Sequence, residues 1–544
     1  MIRLHGVGRL VAVAALLAAS ALAAAQEIDE LIRQRVEQLQ ETGFLEIGGE
    51  AVAARNLLPR LYENRSFEAE WTTLEQFDSL LDMLEESYLE GLEPDDYHAE
   101  ALRAARAALT SLEALPLPER ADLDILLTDS VIRLGYHLRF GKVDPVELDT
   151  NWNESRDLVG EDAAVTLQRA IDSASLREFA AEAIPRAFIY DRFKAALAQY
   201  RAYAAAGGWP EVPRGPTLRV GMSDPRVRTL AERLAVTGDL QPAAAAAATD
   251  VFDETIAAAV RDFQTRHGLA VDGTVGRATF DALNVPVEAR IEQIRANLER
   301  ARWVLYDPER EFLVVNIAGF QLYLVRRGEV VWRARVQVGR PYRQTPVFRA
   351  EMTYLVVNPT WTVPPTILRQ DIVPQVRRDP DYLNRRNIDV LDRGGRVVDP
   401  ATVDWHARSF PYQLVQRPGP DNALGQIKFM FPNSHLVYLH DTPSHELFER
   451  DNRAFSSGCI RVENPLELAE LLLGDKWPRQ RLDALLATQR TQTVFLDTPV
   501  AVMLLYWTTE TDADGRVYFF PDVYERDAAV IAALARPFDA RDVL

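Results

Sequence analysis

The spacing of apolar residues changes once along this chain, near residue 311, and that change limits the folds open to it. Before it, apolar residues recur at helical intervals: Ile28, Leu31, Ile32, Val36 and Leu39, then Phe77, Leu80, Leu81 and Leu84. Leu123 to Leu138 is apolar on most faces and reads as a buried helix. After residue 311 the runs are short and β-rich: Phe312 to Ile317, Gln321 to Val325, an alternating stretch from Glu329 to Val338, and Thr353 to Val357. Short strands joined by tight turns predict a mainly antiparallel sheet closed into a compact sandwich or barrel. The expected class is therefore multidomain α+β. One cysteine in 544 residues allows no internal disulfide, so each domain must be held by its own core.

Punctuation places the boundaries. The first 26 residues, MIRLHGVGRLVAVAALLAASALAAAQ, have a basic start at Arg3 and Arg9, a short apolar core and small residues before Gln26. That pattern predicts a secretory signal over 1–25, cut after Ala25, and its core is short for an uncleaved anchor. Residues 26–210 form a helical region, closed by Gly207-Gly208-Trp209-Pro210. A small unit follows over 217–284, with one helix through Val227, Leu230 and Leu234 and a second capped by Asp253. Val285 to Trp303 reads as a connecting helix, placed at 285–305. The β-rich domain spans 311–498, with Asp497-Thr498-Pro499 as a turn, and 499–544 adds C-terminal strands and a tail. Within it, about 366–425 is an Arg-, Asp- and Pro-rich insertion that reads as a lid or as solvated charged helix.

The chemistry concentrates between His435 and Asn464. Cys459 lies nineteen positions after His440, which ends the apolar run Leu436 to Leu439. An imidazole can take the proton of a thiol and make it a nucleophile. Gly458 lets backbone approach just before the sulfur, where N–H groups can face a developing oxyanion. Ser456, Ser457 and Arg461 make the surroundings polar, and Asp441-Thr442-Pro443 ends the strand at the surface. Tyr438 and His440 share a face of that strand while His435 takes the other, so the histidines do not read as a zinc site. Neither a metal nor another cofactor is expected. The net charge of −19 argues against nucleic acid as partner.

The stretch His440 … Ser456-Ser457-Gly458-Cys459-Ile460-Arg461 resembles the catalytic motif of the L,D-transpeptidases, in the form of the large periplasmic members. Residues such as Phe263-Gln264, Gly268-Leu269, Asp272-Gly273 and Ala282-Leu283-Asn284 are similar to the three-helix peptidoglycan-binding module, which either binds wall polymer or braces its neighbour. Wording such as Gly91-Leu92-Glu93-Pro94-Asp95-Asp96-Tyr97-His98 is similar to the scaffold domain of the large members. The resemblance implies a periplasmic enzyme of cell-wall biogenesis and cell shape that forms 3→3 cross-links between peptide stems through a thioester on Cys459. It implies His440 as base, oriented by the carbonyl of Asp441, with the Cys459 N–H and Tyr438 as oxyanion donors and Gly458 and Ser457 in support. Arg461 would hold a substrate carboxylate. Trp361, in the proline-rich loop Asn358 to Pro365, is either a core anchor or a wall of the substrate groove. Arginines of the insertion (Arg369, Arg377, Arg378, Arg385, Arg386) are candidates for stem carboxylates. Peptide stems and other cell-wall synthesis proteins are the candidate partners, with no membrane span after signal cleavage. Two rivals remain: a cysteine-dependent peptidoglycan hydrolase or carboxypeptidase, and a non-catalytic wall-binding protein. No Ser-x-x-Lys is present, which disfavours a serine enzyme of the penicillin-binding type.

Overall fold

The computed structural model describes residues 5–149, 152, 163–305, 311–407 and 409–537, with backbone alone over 5–22. The first four residues of the expected signal and the last seven of the expected tail lie outside these.

The N-terminal region is helical around α1 (His5–Thr42), α2 (Leu74–Glu86), α3 (Leu117–Phe140) and α4 (Phe188–Ala205), with a small hairpin of β1 (Leu45–Ile47) and β2 (Glu50–Val52). Thr73 and Gln76 form a reciprocal capping box that starts α2. As its composition predicts, α3 is buried along most of its length. Its polar residues are paired: Asp129 accepts the Ala53 and Ala54 N–H groups, both at 2.8 Å, and Asp124 accepts the Tyr62 hydroxyl at 2.7 Å. Ile28, Ile32, Val36 and Leu39 of α1 pack into the same core. The helix runs unbroken through Ala25, where the signal cut is expected. Among the described residues no helix is long and apolar enough to cross a membrane.

The small unit has three main helices, α5 (Arg226–Val236), α6 (Glu254–Arg266) and α7 (Arg277–Leu283), around Val227, Leu230, Leu234, Val260, Phe263 and Leu283. Asp253 caps α6 by accepting the Ile256 N–H at 3.0 Å. Arg266 pairs with Asp239 and donates to the Val517 carbonyl at 2.7 Å, so the unit is joined to the C-terminal segment.

The connecting helix α8 (Val287–Val304) is buried on more sides than a one-face pattern predicts. It lies between α4 and the strands of the β-rich domain, with Ile294, Leu298 and Ala301 in their shared core. Its polar face is also buried and mostly paired, although Arg290 Nε, Arg300 Nη2 and Arg302 Nε have no partner among the described residues. Glu299 accepts the Val143 N–H at 2.6 Å and Arg302 at 2.9 Å, and Arg302 donates to the Glu90 carbonyl. Gly141, at φ +87°, sits so close that a methyl group there would meet the Glu299 carboxylate.

The β-rich domain is a closed ring. β3 (Glu311–Asn316), β4 (Gln321–Arg326), β5 (Glu329–Gly339), β6 (Phe348–Val357), β11 (Ile427–Met430), β12 (Leu439–His440), β14 (Ile460–Val462) and β15 (Gln492–Leu505) pair in the order β5-β14-β12-β11-β6-β15-β3-β4, and β4 returns to β5. Most pairs are antiparallel; β12/β14 and β15/β3 are parallel. A short β13 (Ala454–Ser456) runs parallel beside β5. Leu313, Val315, Leu322, Val336, Leu355, Phe429, Leu439, Ile460 and Leu504 share one core cluster. Phe312, Val314, Ala501, Met503 and Leu505, on the opposite faces of β3 and β15, pack against α4 and α8. Burial on both faces explains why these two strands are apolar without alternation. The helices α9 (Pro465–Leu473) and α10 (Arg479–Ala487) flank the ring.

Two local expectations are corrected, at the end of the ring and in the insertion, while the C-terminal strands form as expected. Asp497-Thr498-Pro499 is not a turn: β15 continues through it, with a register break between Phe495 and Val500, so the boundary placed at 498 falls inside a strand. A bulge is where a proline can sit in a strand without losing a ladder bond. Strands β16 (Thr509–Thr511) and β17 (Val517–Phe519) form their own two-stranded sheet, followed by α11 (Asp527–Ala535). The insertion has a four-stranded sheet of β7 (Trp361–Thr362), β8 (Ile388–Leu391), β9 (Val397–Val398) and β10 (Gln413–Gln416), and so begins at Trp361. Its core of Val363, Leu368, Ile372, Leu383, Val390 and Leu414 makes it a small folded unit of its own.

Removing Glu299 leaves Arg302 buried without its carboxylate. Glu299→Ala is expected to cost about 3–5 kcal/mol, read by urea unfolding followed through tryptophan fluorescence, and Arg302→Met added to it is expected to restore most of the loss.

Candidate active site

Strand register brings the chemical residues together. In the parallel pair β12/β14, Leu439 lies opposite Ile460 and His440 opposite Arg461. Leu439 and Ile460 are fully buried in the core. Alternation therefore turns Tyr438, His440, Cys459 and Arg461 to the other face of the sheet. The row extends on both sides: Lys428 of β11 is the partner of His440, and Gln337 of β5 is the partner of Arg461.

His440 is buried, and its Nδ1 lies 2.5 Å from the carbonyl oxygen of Asp441. A carbonyl only accepts, so Nδ1 carries the proton and Nε2 keeps its lone pair. The Asp441 backbone is itself fixed: its N–H donates to the Ile427 carbonyl at 2.9 Å. Its carboxylate accepts the N–H groups of Gln426, at 2.8 Å, and Thr442, at 2.7 Å. Gly425, at φ +59°, leaves room for that carboxylate, because a methyl group there would strike it. Burial, with Arg461 and Lys428 nearby, pushes the His440 imidazole down to about 3, so it is neutral at physiological pH.

Cys459 is half-buried. Burial pushes its thiol up, against the opposing pull of the Tyr438 backbone and hydroxyl, Lys428 and Arg461. Its sulfur lies 3.9 Å from the Leu436 carbonyl. Leu436 has φ +56° and is 80% exposed, held in that conformation by the Asn433 side chain. The Asn433 amide oxygen accepts the His435 and Val437 N–H groups, and its nitrogen donates to the Phe431 and Val437 carbonyls. The strand read as Leu436 to Leu439 therefore begins only at Leu439. At rest the site holds a neutral thiol and a neutral imidazole, which favours proton transfer during attack over a standing ion pair.

The Tyr438 ring meets the His440 ring edge to face at 5.6 Å, and Lys428 Nζ sits 3.7 Å from the Tyr438 ring centre. Arg461 donates to Gln337 at 2.9 Å, while its Nε is buried with no partner among the described residues. Gly458 has φ +118°, a conformation that glycine adopts freely. Ser457 accepts from Arg343 at 2.9 Å; Arg343 also pairs with Asp371 of the insertion at 2.7 Å and donates to Gln370. Trp361 is half-buried against the core of the insertion. Among the insertion arginines, Arg377 donates to the Trp405 carbonyl and Arg385 pairs with Asp379 and Asp381. Those two are engaged within the insertion.

Sequence reasoning passed over Lys428, Gln337 and Arg343. Lys428 left one signal: it is one of four lysines in a chain whose positive charge is otherwise arginine. Gln337 and Arg343 left none, since they reach the site from strand pairing more than a hundred residues upstream.

Comparisons agree with this geometry at the level of domains. Residues 310–502 match the family model described as the L,D-transpeptidase catalytic domain. Residues 56–197 match the scaffold domain, and 223–283 match the model described as "Putative peptidoglycan binding domain". A curated relative from Haemophilus influenzae, named "Putative L,D-transpeptidase", is 40% identical over 223 residues, which are 40% of this chain and 45% of the relative. The chain thus spans less than half of that relative's length. A crystal structure of an L,D-transpeptidase from Stackebrandtia nassauensis is 12% identical, covers 54% of this chain and 96% of its own, and has a TM-score of 0.20. L,D-transpeptidase 1 of Mycobacterium tuberculosis is 13% identical, covers 36% and 61%, and has a TM-score of 0.16. Scores this low carry no argument about the fold.

Lys428 helps to hold negative charge on the sulfur. Alkylation of Cys459 by iodoacetamide is expected to rise with pH to a midpoint above that of a free thiol, and Lys428→Met to move the midpoint further up, read by intact mass.

Proposed function

We infer that this chain, which carries an L,D-transpeptidase catalytic domain over residues 310–502, is a periplasmic enzyme that forms 3→3 cross-links between peptidoglycan stems. The observation that carries the reading is the shared sheet face of His440 and Cys459, with His440 Nδ1 held by the Asp441 carbonyl and Nε2 left as base.

The donor is a tetrapeptide stem. His440 Nε2 takes the Cys459 proton as the sulfur attacks the carbonyl of the third stem residue, a diaminopimelate. The oxyanion is met by the Cys459 N–H and the Tyr438 hydroxyl, with Gly458 and Ser457 shaping the turn. The tetrahedral species expels D-alanine, whose amine takes the proton from the imidazolium. A thioester remains on Cys459. The side-chain amine of a second stem attacks it, His440 accepts the amine proton, and the thiol is restored as the cross-link leaves. Arg461, with one N–H unpartnered, is placed to receive a stem carboxylate. Lys428 adds positive charge on the same face. Trp361 is assigned to the wall of the insertion rather than to direct contact with the reacting bond. The small module binds wall polymer and the signal over 1–25 supplies export; both support a periplasmic location.

Incubation with a disaccharide tetrapeptide, followed by mass spectrometry of protein and products, tests this. A thioester on Cys459, released D-alanine and a 3→3 dimer are expected, with Cys459→Ala lowering turnover by about 10³-fold or more and His440→Ala by about 10²–10⁴-fold. Tripeptide without dimer, in the presence of excess acceptor amine, would instead identify a hydrolase. Unchanged wall association with no turnover by the wild type would leave a binding protein.

A further inference from the structure

The C-terminal segment, beyond residue 502, reaches the catalytic turn through a chain of hydrogen bonds. Tyr524 is buried, its ring stacked on Tyr506 at 5.4 Å and 17°. Its backbone N–H donates to the Tyr506 hydroxyl at 2.8 Å, and that hydroxyl donates to Asp522 at 2.5 Å. The Tyr524 hydroxyl has one proton, which goes to the Gly339 carbonyl at 2.6 Å, and it accepts the Thr345 N–H at 3.1 Å. The fully buried Thr345 hydroxyl accepts the Gly339 N–H at 2.9 Å and donates its own proton to the Gly458 carbonyl at 2.8 Å. Gly339 has no room for a side chain, because a methyl group would strike the Arg343 carbonyl. Each hydroxyl thus donates its one proton and accepts one N–H, and the loop from Gly339 to Thr345 is pinned at each end.

The Gly458–Cys459 peptide is planar and trans, so its carbonyl and its N–H point in opposite directions. Fixing the Gly458 oxygen fixes where the Cys459 N–H points. That N–H has no acceptor among the described residues. On the other side of the turn, Ser456 accepts the Gly458 N–H at 3.1 Å and donates to the Cys459 carbonyl at 2.5 Å. Arg526, two residues beyond Tyr524, carries the connection outward: it donates to Gln344 at 2.9 Å and pairs with Asp149 of the N-terminal region at 3.0 Å.

We propose that Tyr524 is a positioning residue which, through Thr345, holds the Gly458–Cys459 peptide plane so that the Cys459 N–H faces the oxyanion of the acyl donor. The proposal rests on the acyl-transfer reading above for its consequence in catalysis, and on geometry alone for the restraint of the turn. It makes the segment after residue 502 part of the catalytic apparatus, although it lies outside the matched catalytic domain.

Tyr524→Phe keeps the stacked ring and removes the hydroxyl, and Thr345→Val removes the next link. Two measurements on the full chain separate the ideas. Hydrogen–deuterium exchange of the peptide spanning 454–462 is expected to speed up at least threefold in both variants, while the peptide of α3 stays unchanged. Unchanged exchange at 454–462 overturns the proposal whatever the reaction is. Acylation of Cys459 by a carbapenem, which needs an oxyanion donor, is expected to slow about tenfold in each variant and no further in the double variant. Alkylation by iodoacetamide, which forms no oxyanion, is expected to stay within twofold. Equal slowing of both reagents would show general loosening and overturn the role assigned to the N–H. If the wild type takes no acyl group at all, the functional reading fails, and the exchange result still decides the restraint.

Discussion

Two residues of parallel pairing, Leu439 with Ile460 and His440 with Arg461, hold the rest of this molecule to its purpose. The pairing is short, and its apolar half is sealed in the core while its polar half is turned outward. A slip of one residue would exchange those halves, burying Cys459 and Arg461 and exposing Ile460. The register is therefore protected by the apolar core beneath it. Everything chemical follows from that: the imidazole, the sulfur, two cations and an aromatic ring stand on one face because β11, β12 and β14 are aligned beside one another.

The electrostatics of that face are those of a poised site rather than a charged one. Burial keeps the imidazole and the thiol neutral, while Lys428 and Arg461 surround the sulfur with positive charge. Such a face disfavours a spontaneously ionised cysteine, which would be prone to oxidation. It favours negative charge that arrives with a substrate or develops during attack.

The residues of the motif were legible because they are close in sequence and because thiol, imidazole and glycine each have a narrow range of chemical uses. The helical and β-rich halves were legible through periodicity, which follows from which faces are buried. What stayed hidden came from contacts distant in sequence or from conformations that side chains impose. Leu436 looked like strand because it is apolar and flanked by apolar residues; the Asn433 amide turns it to positive φ. Pro499 looked like a turn because prolines usually interrupt central strands; a bulge accommodates it here. Lys428, Thr345 and Tyr524 carry no motif: strand pairing brings Lys428 beside His440, and hydrogen bonds link Tyr524 through Thr345 to the Gly458 carbonyl. For Trp361 the sequence favoured a core anchor and the family resemblance offered a groove wall; its ring packs against the insertion's own core, which no local pattern announced.

The closure of the ring has a bearing on synthesis. β3 is the first strand of the domain and β15 the last of the ring, yet they lie side by side, and β15 also bridges to β6. A chain delivered from its N-terminus cannot complete this cylinder until its final strand arrives, and contacts this distant in sequence form slowly. The turn that carries Cys459 is made before β15, and so before the strand that closes the ring around it. The face that gathers Tyr438, His440 and Cys459 is thus completed only when the last strand of the ring has been added.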